Sequence, residues 1–171
     1  LWEQWAGDPP ATLGKMLASA TIAFADDRDF ALVLGRKFES ADPAERRRLA
    51  AAAAFEAFPR LQRIACTLRV QESVADQALS AVMLTRGENN AVVETHAEAI
   101  HMTGVIDRVG GGDAFASGVL YGLWSGWDDQ KALDFGLAAA GLKHSVPGDF
   151  NLFSAAEVEA AMGAEGFDIK R

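Results

Sequence analysis

The sequence is poor in cysteine and in long apolar runs, and each shortage excludes a class of protein. Cys66 is the single cysteine among 171 residues, so no internal disulfide can form and a reducing compartment is expected. No stretch approaches the ~20 consecutive apolar residues that a membrane-spanning helix requires. The pattern of a secretory signal, a basic segment followed by an apolar one, is also missing. These shortages predict a cytoplasmic protein that does not bind membranes.

Basic charge is also scarce. Lysine and arginine number 16 against 24 aspartates and glutamates, which gives a formal net charge of −8 at pH 7. A nucleic-acid-binding surface would show a basic face or stripe. The one basic run, Arg46-Arg47-Arg48, lies among alanines and is interpreted as the solvent-facing side of a helix. No nucleic-acid partner is therefore expected.

The chain length and the hydrophobic content are sufficient for one compact domain. Hydrophobic residues make up 50% of the 171 positions, and no internal repeat or low-complexity linker divides them. We therefore expect a single domain over residues 1–171.

Local signals predict several helices. Asp42 is followed by Pro43 and, three residues after the cap position, by Glu45, which predicts a helix ending near residue 59. Ser154 and Glu157 form a similar start near the end of the chain. Further helices are expected in DDRDFALVLG up to Gly35, and over residues 113–125, 129–143 and 154–162.

Short apolar segments between these helices are typical of buried strands. TIAFA (21–25) and RIACTL (63–68) are two of them, and residues 81–101 predict a small meander. Strands that alternate with helices indicate a layered α/β domain with a largely parallel sheet flanked by helices.

Three glycines, Gly110, Gly111 and Gly112, stand directly before Asp113 and a helical stretch. Main-chain N–H groups at a helix start lack partners within the helix, and with the helix dipole they form an anion site that glycines leave accessible. A carboxylate beside such a site can take a proton from an attacking hydroxyl. A turn whose aspartate stabilises the helix by ~0.5–2 kcal/mol explains the same residues. Both interpretations stay open at this point.

Gly118, Gly122 and Gly126 recur at every fourth position after this turn. Each interior glycine costs ~1 kcal/mol relative to alanine in a helix. The repeat therefore indicates a smooth ridge that packs closely against another backbone, and we expect that partner to be the sheet. A Walker loop and a dinucleotide fingerprint are excluded, because the lysine of the first and the third glycine of the second are missing.

The segment DRVGGGDAF, residues 107–115, resembles the signature D-T-x-G-A-G-D-x-F of the ribokinase-like (PfkB) sugar kinases. The matching residues are Asp107, Gly110, Gly112, Asp113 and Phe115, and the departing ones are Arg108 and Gly111. With CTLR at 66–69 and LKHSVPGDFN at 142–151, the sequence is more specifically similar to 2-keto-3-deoxygluconate kinases. The resemblance implies a ribokinase-like, Rossmann-type sandwich. It also implies transfer of the γ-phosphate of ATP to a sugar-acid hydroxyl, which gives the 6-phosphate.

The resemblance assigns the chemistry to the glycine turn and its surroundings. It implies that Asp113 is the catalytic base. It implies that Gly110, Gly111 and Gly112 supply the anion hole for the transferring phosphoryl group. Asp149 corresponds to an acidic residue that touches the sugar in these kinases.

Three further residues are implied in nucleotide binding. Thr67 and Arg69 correspond to a strand end that meets the phosphates, with arginine in place of the usual glycine; a surface arginine is the alternative. His144 lies near the end of a helix that is expected to flank the nucleotide, and a purely structural histidine is the alternative there.

The resemblance implies ATP and Mg²⁺, and it leaves a monovalent cation open. Asp107 corresponds to a residue of a cation-associated loop, which makes it the candidate metal-site residue. The stretch 26–29 stands roughly where the family carries an N-x-x-E motif linked to Mg²⁺ and phosphate. The asparagine and the glutamate of that motif are replaced here.

The resemblance covers the C-terminal half of a typical family member. We expect the N-terminal part and the small lid sheet, through which relatives often pair as homodimers, to be absent from this sequence. Two alternatives stay open as a result. One is a nucleotide-binding fragment or partner module without turnover, and the other is a fructose- or tagatose-type kinase of the same family.

Overall fold

The structure is a computed structural model and describes residues 7–71 and 77–162. In chain order the elements are α1 (Pro9–Leu17), β1 (Ile22–Phe24), α2 (Asp27–Leu34), α3 (Pro43–Ala57), β2 (Arg63–Gln71), β3 (Gln77–Arg86), β4 (Val92–Met102), α4 (Gly111–Trp124), α5 (Asp129–Lys143) and α6 (Ala155–Ala161). A short 3-10 turn at Glu88–Asn90 separates β3 from β4. Within the described ranges, none of the helices is both long and apolar enough to cross a membrane.

The four strands form one sheet in the order β1-β2-β3-β4. β1 and β2 are parallel, with Ala23 opposite Ile64. The Arg86 N–H donates to the Gln62 carbonyl at 2.9 Å, so the end of β3 lies beside the start of β2 and these two strands run in opposite directions. The predicted α/β class is confirmed. In the described part of the chain, the parallel pairing is that of β1 with β2, whereas β2, β3 and β4 follow one another as a meander.

The chain divides into two compact units. The first consists of Leu1–Cys66 and Met83–Glu94, and the second of Thr67–Val82 and Thr95–Arg171. The expectation of a single domain over residues 1–171 stays a prediction.

Helix starts in the first unit follow the signals in the sequence. Asp26 accepts the N–H groups of Arg28 and Asp29, while the Asp29 side chain accepts the Asp26 N–H, which completes a capping box at α2. Gly35 ends that helix in the left-handed conformation, with φ of 62°. α1 was not predicted, although Asp8 caps it by accepting an N–H group and is followed by proline, as at other helix starts.

The start of α3 differs from its prediction in one detail. Asp42 caps the helix by accepting the Ala44 N–H at 2.9 Å. Glu45 does not reach back to the cap and instead pairs with Arg48 at 3.3 Å. The predicted helix is confirmed and ends at Ala57.

Arg86, at the end of β3, closes the far end of α3. Its guanidinium donates to the main-chain carbonyls of Leu61, Phe55 and Phe58 at 2.7–2.9 Å and lies 5.0 Å from the centre of the Phe55 ring. The carbonyls at a helix end have no partner within the helix, so this arginine satisfies groups that would otherwise need water.

Cys66 is part of β2. Its thiol forms no disulfide and is half-buried, and burial raises the pKa of this thiol to about 11.

Close helix packing organises the second unit. A Cβ atom added to Gly118 would lie 2.8 Å from the Gly136 Cα of α5, and one added to Gly122 would lie 2.8 Å from the Ala132 Cα of the same helix. The predicted glycine ridge is therefore present, but the expectation that it faces the sheet is wrong, because its partner is α5. Gly126 is not part of the ridge; it follows α4 in the left-handed conformation, with φ of 79°.

Candidate functional site

The three glycines before α4 meet three different surroundings. Gly110 has φ of 77°, and a Cβ atom added to it would lie 2.1 Å from the main-chain oxygen of Asp149. A Cβ atom on Gly111 would lie 2.7 Å from Cε1 of His144, whereas one on Gly112 would have no atom within 4 Å. The first two glycines are thus required by close contacts, and the third leaves space open beside the helix start.

The beginning of α4 leaves main-chain donors available. The Gly111 N–H donates to the Arg108 carbonyl at 3.3 Å, and the Ala114 N–H donates to the Gly110 carbonyl at 2.8 Å. Among the residues that the structure describes, no acceptor takes the N–H groups of Gly112 or Asp113. These two groups lie at the positive end of the dipole of a 14-residue helix. Free donors at a helix start are able to bind an anion, and the exposed carboxylate of Asp113 lies in the same turn. The anion-hole role of Gly110, Gly111 and Gly112 and the base role of Asp113 stay predictions.

The glycine loop is joined to the turn that follows α5. The His144 carbonyl accepts the N–H groups of Ile106 at 2.9 Å and of Asp107 at 3.3 Å. The Asp107 carboxylate accepts the Val109 N–H at 3.0 Å and the Gly148 N–H at 2.8 Å. These two hydrogen bonds hold the pKa of Asp107 below its usual value, and the bond from Val109 has the larger effect. Asp107 therefore joins residues 107–109 to the turn at 144–149.

His144 is a buried wall of the site. Only 2% of the residue is exposed, and Nδ1 lies 2.6 Å from the Ala140 carbonyl. A carbonyl oxygen can only accept, so Nδ1 carries the hydrogen and Nε2 is the acceptor. Burial lowers the pKa of His144, with the charge of Arg69 among the further causes. Nε2 is buried and has no partner in the described part of the chain.

The predicted residues of β2 lie on one face of their strand. Thr67 and Arg69 are two positions apart, and side chains at that spacing point to the same side of a sheet. Arg69 is exposed, and its charge acts on His144. The phosphate role of both residues stays a prediction.

Asp149 contacts the glycine loop through its main chain. Its main-chain oxygen approaches Gly110, and its carboxylate is exposed. The structure therefore packs Asp149 against Gly110 and His144 against Gly111. Asp107 is hydrogen-bonded to the same turn through the Gly148 N–H. Whether the Asp149 carboxylate contacts a sugar stays a prediction.

Lys143 is the residue of this region to which the sequence had assigned no role. It is 0% exposed, and its ammonium group donates to the Val146 carbonyl at 3.0 Å. The sequence did contain a signal for its burial, because Lys143 is the one charged residue of the otherwise apolar run LAAAGLK (137–143).

The donor set for metal ions is limited. Within residues 7–71 and 77–162, no group of three or more histidine, cysteine, aspartate or glutamate side chains could hold a metal ion. Mg²⁺ commonly binds through one or two carboxylates together with substrate phosphates, so the exposed carboxylates of this site fit an ion that arrives with a nucleotide. The role of Asp107 in a metal site stays a prediction.

A monovalent cation fits the loop poorly. Both oxygens of the Asp107 carboxylate already accept main-chain N–H groups, and the Val146 carbonyl accepts the Lys143 ammonium. A second cation would compete for that carbonyl and would be repelled by the ammonium charge.

The stretch 26–29 serves α2 in the first unit. The carboxylates of Asp26 and Asp29 are engaged in the capping box, and Asp26 also pairs with Arg28. Asp27 accepts a hydrogen bond from Arg46 at 3.2 Å. The local role of these side chains is thus to start a helix and tie it to α3.

Comparison with known proteins identifies relatives of most of the chain. A profile of the pfkB family carbohydrate kinases matches residues 2–155. The 2-dehydro-3-deoxygalactonokinase of Haloferax volcanii is 33% identical over 103 residues, which is 57% of this chain and 32% of that protein. The 5-dehydro-2-deoxygluconokinase of Geobacillus thermodenitrificans is 31% identical over 72 residues, which is 39% of this chain and 21% of that protein.

A solved structure shares the fold. The crystal structure of the 2-dehydro-3-deoxygluconokinase of Thermotoga maritima matches with a TM-score of 0.77 at 29% sequence identity. The similarity covers 91% of this chain and 46% of that one. The chain therefore spans about half the length of the solved relative that it matches, and a smaller share of the curated ones.

Proposed function

The chain belongs to the pfkB family of carbohydrate kinases, and we propose that it carries the nucleotide site and catalytic base of an ATP-dependent sugar-acid kinase. The proposed acceptor is 2-keto-3-deoxygluconate, and the product is its 6-phosphate. The proposed setting is the cytoplasm, where ATP is available and the single cysteine stays reduced.

The observation that carries this proposal is the start of α4. The N–H groups of Gly112 and Asp113 have no acceptor among the described residues, and the space beside Gly112 is open. An anion hole needs donors that are already in place before charge develops on the reacting group. Contacts on both sides of the loop, from Asp149 to Gly110 and from His144 to Gly111, hold these donors in place.

The proposed reaction uses Asp113 as the general base. The acceptor hydroxyl attacks the γ-phosphorus of ATP, and its proton passes to the Asp113 carboxylate. A bond forms between the acceptor oxygen and phosphorus while the bond from phosphorus to the bridging oxygen of ADP breaks. Within the proposed anion hole of Gly110, Gly111 and Gly112, the N–H group of Gly112, free among the described residues, together with that of Asp113, stabilises the charge on the transferring phosphoryl oxygens. Mg²⁺, when bound with the nucleotide, supplies further neutralisation of phosphate charge.

Arg69 and Thr67 are the proposed phosphate contacts on β2. The guanidinium is exposed, so it is available to bind a phosphate with two parallel hydrogen bonds. The proposed contact of His144 with the nucleotide would use Nε2, which has no partner among the described residues, and the contact requires this buried atom to become exposed. Asp107 remains the proposed residue of the cation-associated loop.

The sequences of two motifs favour a sugar acid as the acceptor. DRVGGGDAF and LKHSVPGDFN resemble the corresponding motifs of 2-keto-3-deoxygluconate kinases, and Asp149 lies in the second of them. The two curated relatives act, by their names, on other dehydro-deoxy sugar acids. The solved relative is named for 2-dehydro-3-deoxygluconate itself. Fructose- and tagatose-type acceptors are the alternative within the family.

The length of the match supports a second candidate. Because the chain covers 46% of the solved relative, a nucleotide-binding piece that turns over only with the remaining part, or not at all, is the other function to test. A homodimer is also proposed, since relatives often pair through lid sheets.

Release of ADP tests both candidates. The chain is supplied with Mg-ATP and 2-keto-3-deoxygluconate, and gluconate, fructose and ribose serve as competing acceptors. Asp113→Asn is expected to slow ADP release ~10²–10⁴-fold, the usual contribution of a general base. Glu56→Gln, at an exposed carboxylate on α3, is the matched control and should leave release unchanged.

The outcomes separate the two candidates. Acceptor-dependent release that requires Asp113 supports the kinase and identifies its sugar. A chain that binds added ADP but forms no ADP from Mg-ATP supports the nucleotide-binding piece. Full release by Asp113→Asn, or a folded chain that neither binds ADP nor releases it, contradicts both candidates.

A further inference from the structure

Lys143 is a buried lysine at the end of α5 that the proposed chemistry does not use. It is 0% exposed, whereas Lys131 of the same helix is 48% exposed in its side chain and lies 3.7 Å from the centre of the Trp127 ring. Lysine is almost never fully buried unless its charge has a partner. The Lys143 ammonium donates to the Val146 carbonyl at 3.0 Å. The fold therefore holds one positive charge in a defined place.

That place is the junction between the glycine loop and the turn at 144–149. Val146 lies between His144, whose carbonyl accepts the Ile106 and Asp107 N–H groups, and Gly148, whose N–H donates to the Asp107 carboxylate. The Lys143 charge acts on Asp107 and contributes to lowering its pKa. The Lys143 ammonium thus contacts the Val146 carbonyl of this turn, and its charge acts on the carboxylate that joins the two segments.

The junction determines where the glycines lie. The main chain of Asp149, in the same turn, approaches Gly110, and the His144 ring lies against Gly111. A shift of the turn would therefore move the helix start whose N–H groups are proposed to hold the phosphoryl group.

Carbonyl and carboxylate oxygens are also the ligands that a monovalent cation would take. An ammonium group offers the same charge with three donors, and here it is attached to the chain. We propose that Lys143 is a positioning residue whose ammonium group acts as the built-in cation of this junction, so that the chain responds to no monovalent ion. Its effect on phosphate binding rests on the proposed function, whereas its effect on folding does not.

Thermal unfolding of the wild-type chain gives the first test. Melting is followed in potassium, sodium and tetramethylammonium chloride at equal ionic strength, without nucleotide. We expect the same melting temperature in all three salts, because the junction already holds its cation. A higher melting temperature in potassium than in tetramethylammonium would overturn the proposal. The result does not depend on whether the chain is a kinase.

Replacing the ammonium gives the second test. Lys143→Met keeps the length of the side chain and removes the charge, and we expect a lower melting temperature in tetramethylammonium that potassium partly restores. A lysine with a merely structural role would give the same loss in every salt. The control Lys131→Met is expected to melt alike in all three salts. A Lys143→Met chain as stable as the wild type, or equally destabilised in all salts, would overturn the proposal.

Calorimetric titration with Mg-ATP, in the absence of acceptor, connects the junction to the glycines. We expect Lys143→Met to bind Mg-ATP at least ~10-fold more weakly in tetramethylammonium and to regain affinity in potassium, with Lys131→Met unchanged. Unchanged affinity in a folded Lys143→Met chain contradicts the positioning role. Failure of the wild type to bind Mg-ATP counts against the proposed function and leaves the melting result to decide the role of Lys143. If Lys143→Met folds in none of the salts, the wild-type series decides.

Discussion

The main-chain oxygen of Asp149 lies so close to Gly110 that a Cβ atom added to the glycine would come within 2.1 Å of it. Gly110 also has φ of 77°, which residues with a Cβ atom rarely adopt. Two independent constraints, one from the backbone conformation and one from a distant segment, therefore require glycine at this position. The contact also explains how the turn after α5 determines the geometry of the helix start.

Gly110→Ala is expected to destabilise the chain by about 3 kcal/mol or more, since it combines a strained φ with overpacking. Urea unfolding of the variant and the wild type measures this loss. A variant of wild-type stability would show that the turn moves freely away from Gly110, and would contradict the junction described above.

Gly112→Ala should separate binding from stability. No atom lies within 4 Å of the added Cβ, and alanine is favoured over glycine inside a helix by ~1 kcal/mol. We expect unchanged or higher stability in urea, together with weaker binding of Mg-ATP in the absence of acceptor, because the methyl group occupies the space through which the γ-phosphate reaches the N–H groups. Full Mg-ATP affinity measured by calorimetry would place the γ-phosphate elsewhere.

Gly118→Ala tests the contact between α4 and α5. The added Cβ would lie 2.8 Å from the Gly136 Cα and 3.2 Å from the Ala139 Cβ. We expect a loss of roughly 1–3 kcal/mol in urea unfolding, although alanine favours the helix itself. Ser117→Ala, at an exposed position of the same helix, is the control and should stay within about 0.5 kcal/mol of the wild type. Equal stability of both variants would contradict the close packing.

The titration of His144 predicts how folding depends on pH. Burial lowers its pKa from the ordinary value of 6.5, so the unfolded chain takes up a proton at a pH where the folded chain does not. This contribution to stability is present above pH 6.5 and is lost as the pH falls through the lowered pKa. Proton NMR titration of the imidazole, assigned with His144→Gln, should give a pKa below 6.5. A resonance that titrates at or above that value would contradict the buried, neutral imidazole.

The helices were the most predictable part of the fold, because their signals act over a few residues. Asp26 and Gly35 start and end α2, and Ser154 with Glu157 forms the predicted capping box of α6. Strand lengths were less predictable. β2 runs to Gln71 rather than ending at residue 68, and the meander predicted over 81–101 has β3 starting at Gln77. A strand continues as long as its neighbour offers hydrogen-bond partners, and that neighbour is not a local feature.

The sequence by itself determined the α/β class, most helix boundaries and the glycine turn before Asp113, since all of these depend on residues close together in the chain. The tertiary structure alone decided that the glycine ridge faces α5, that Asp149 presses on Gly110, and that the Lys143 charge is buried at the junction. Each of these depends on segments that are far apart in sequence and meet only when the chain has folded. A pattern along the chain predicts which residue types stand together, but only packing determines what each side chain touches.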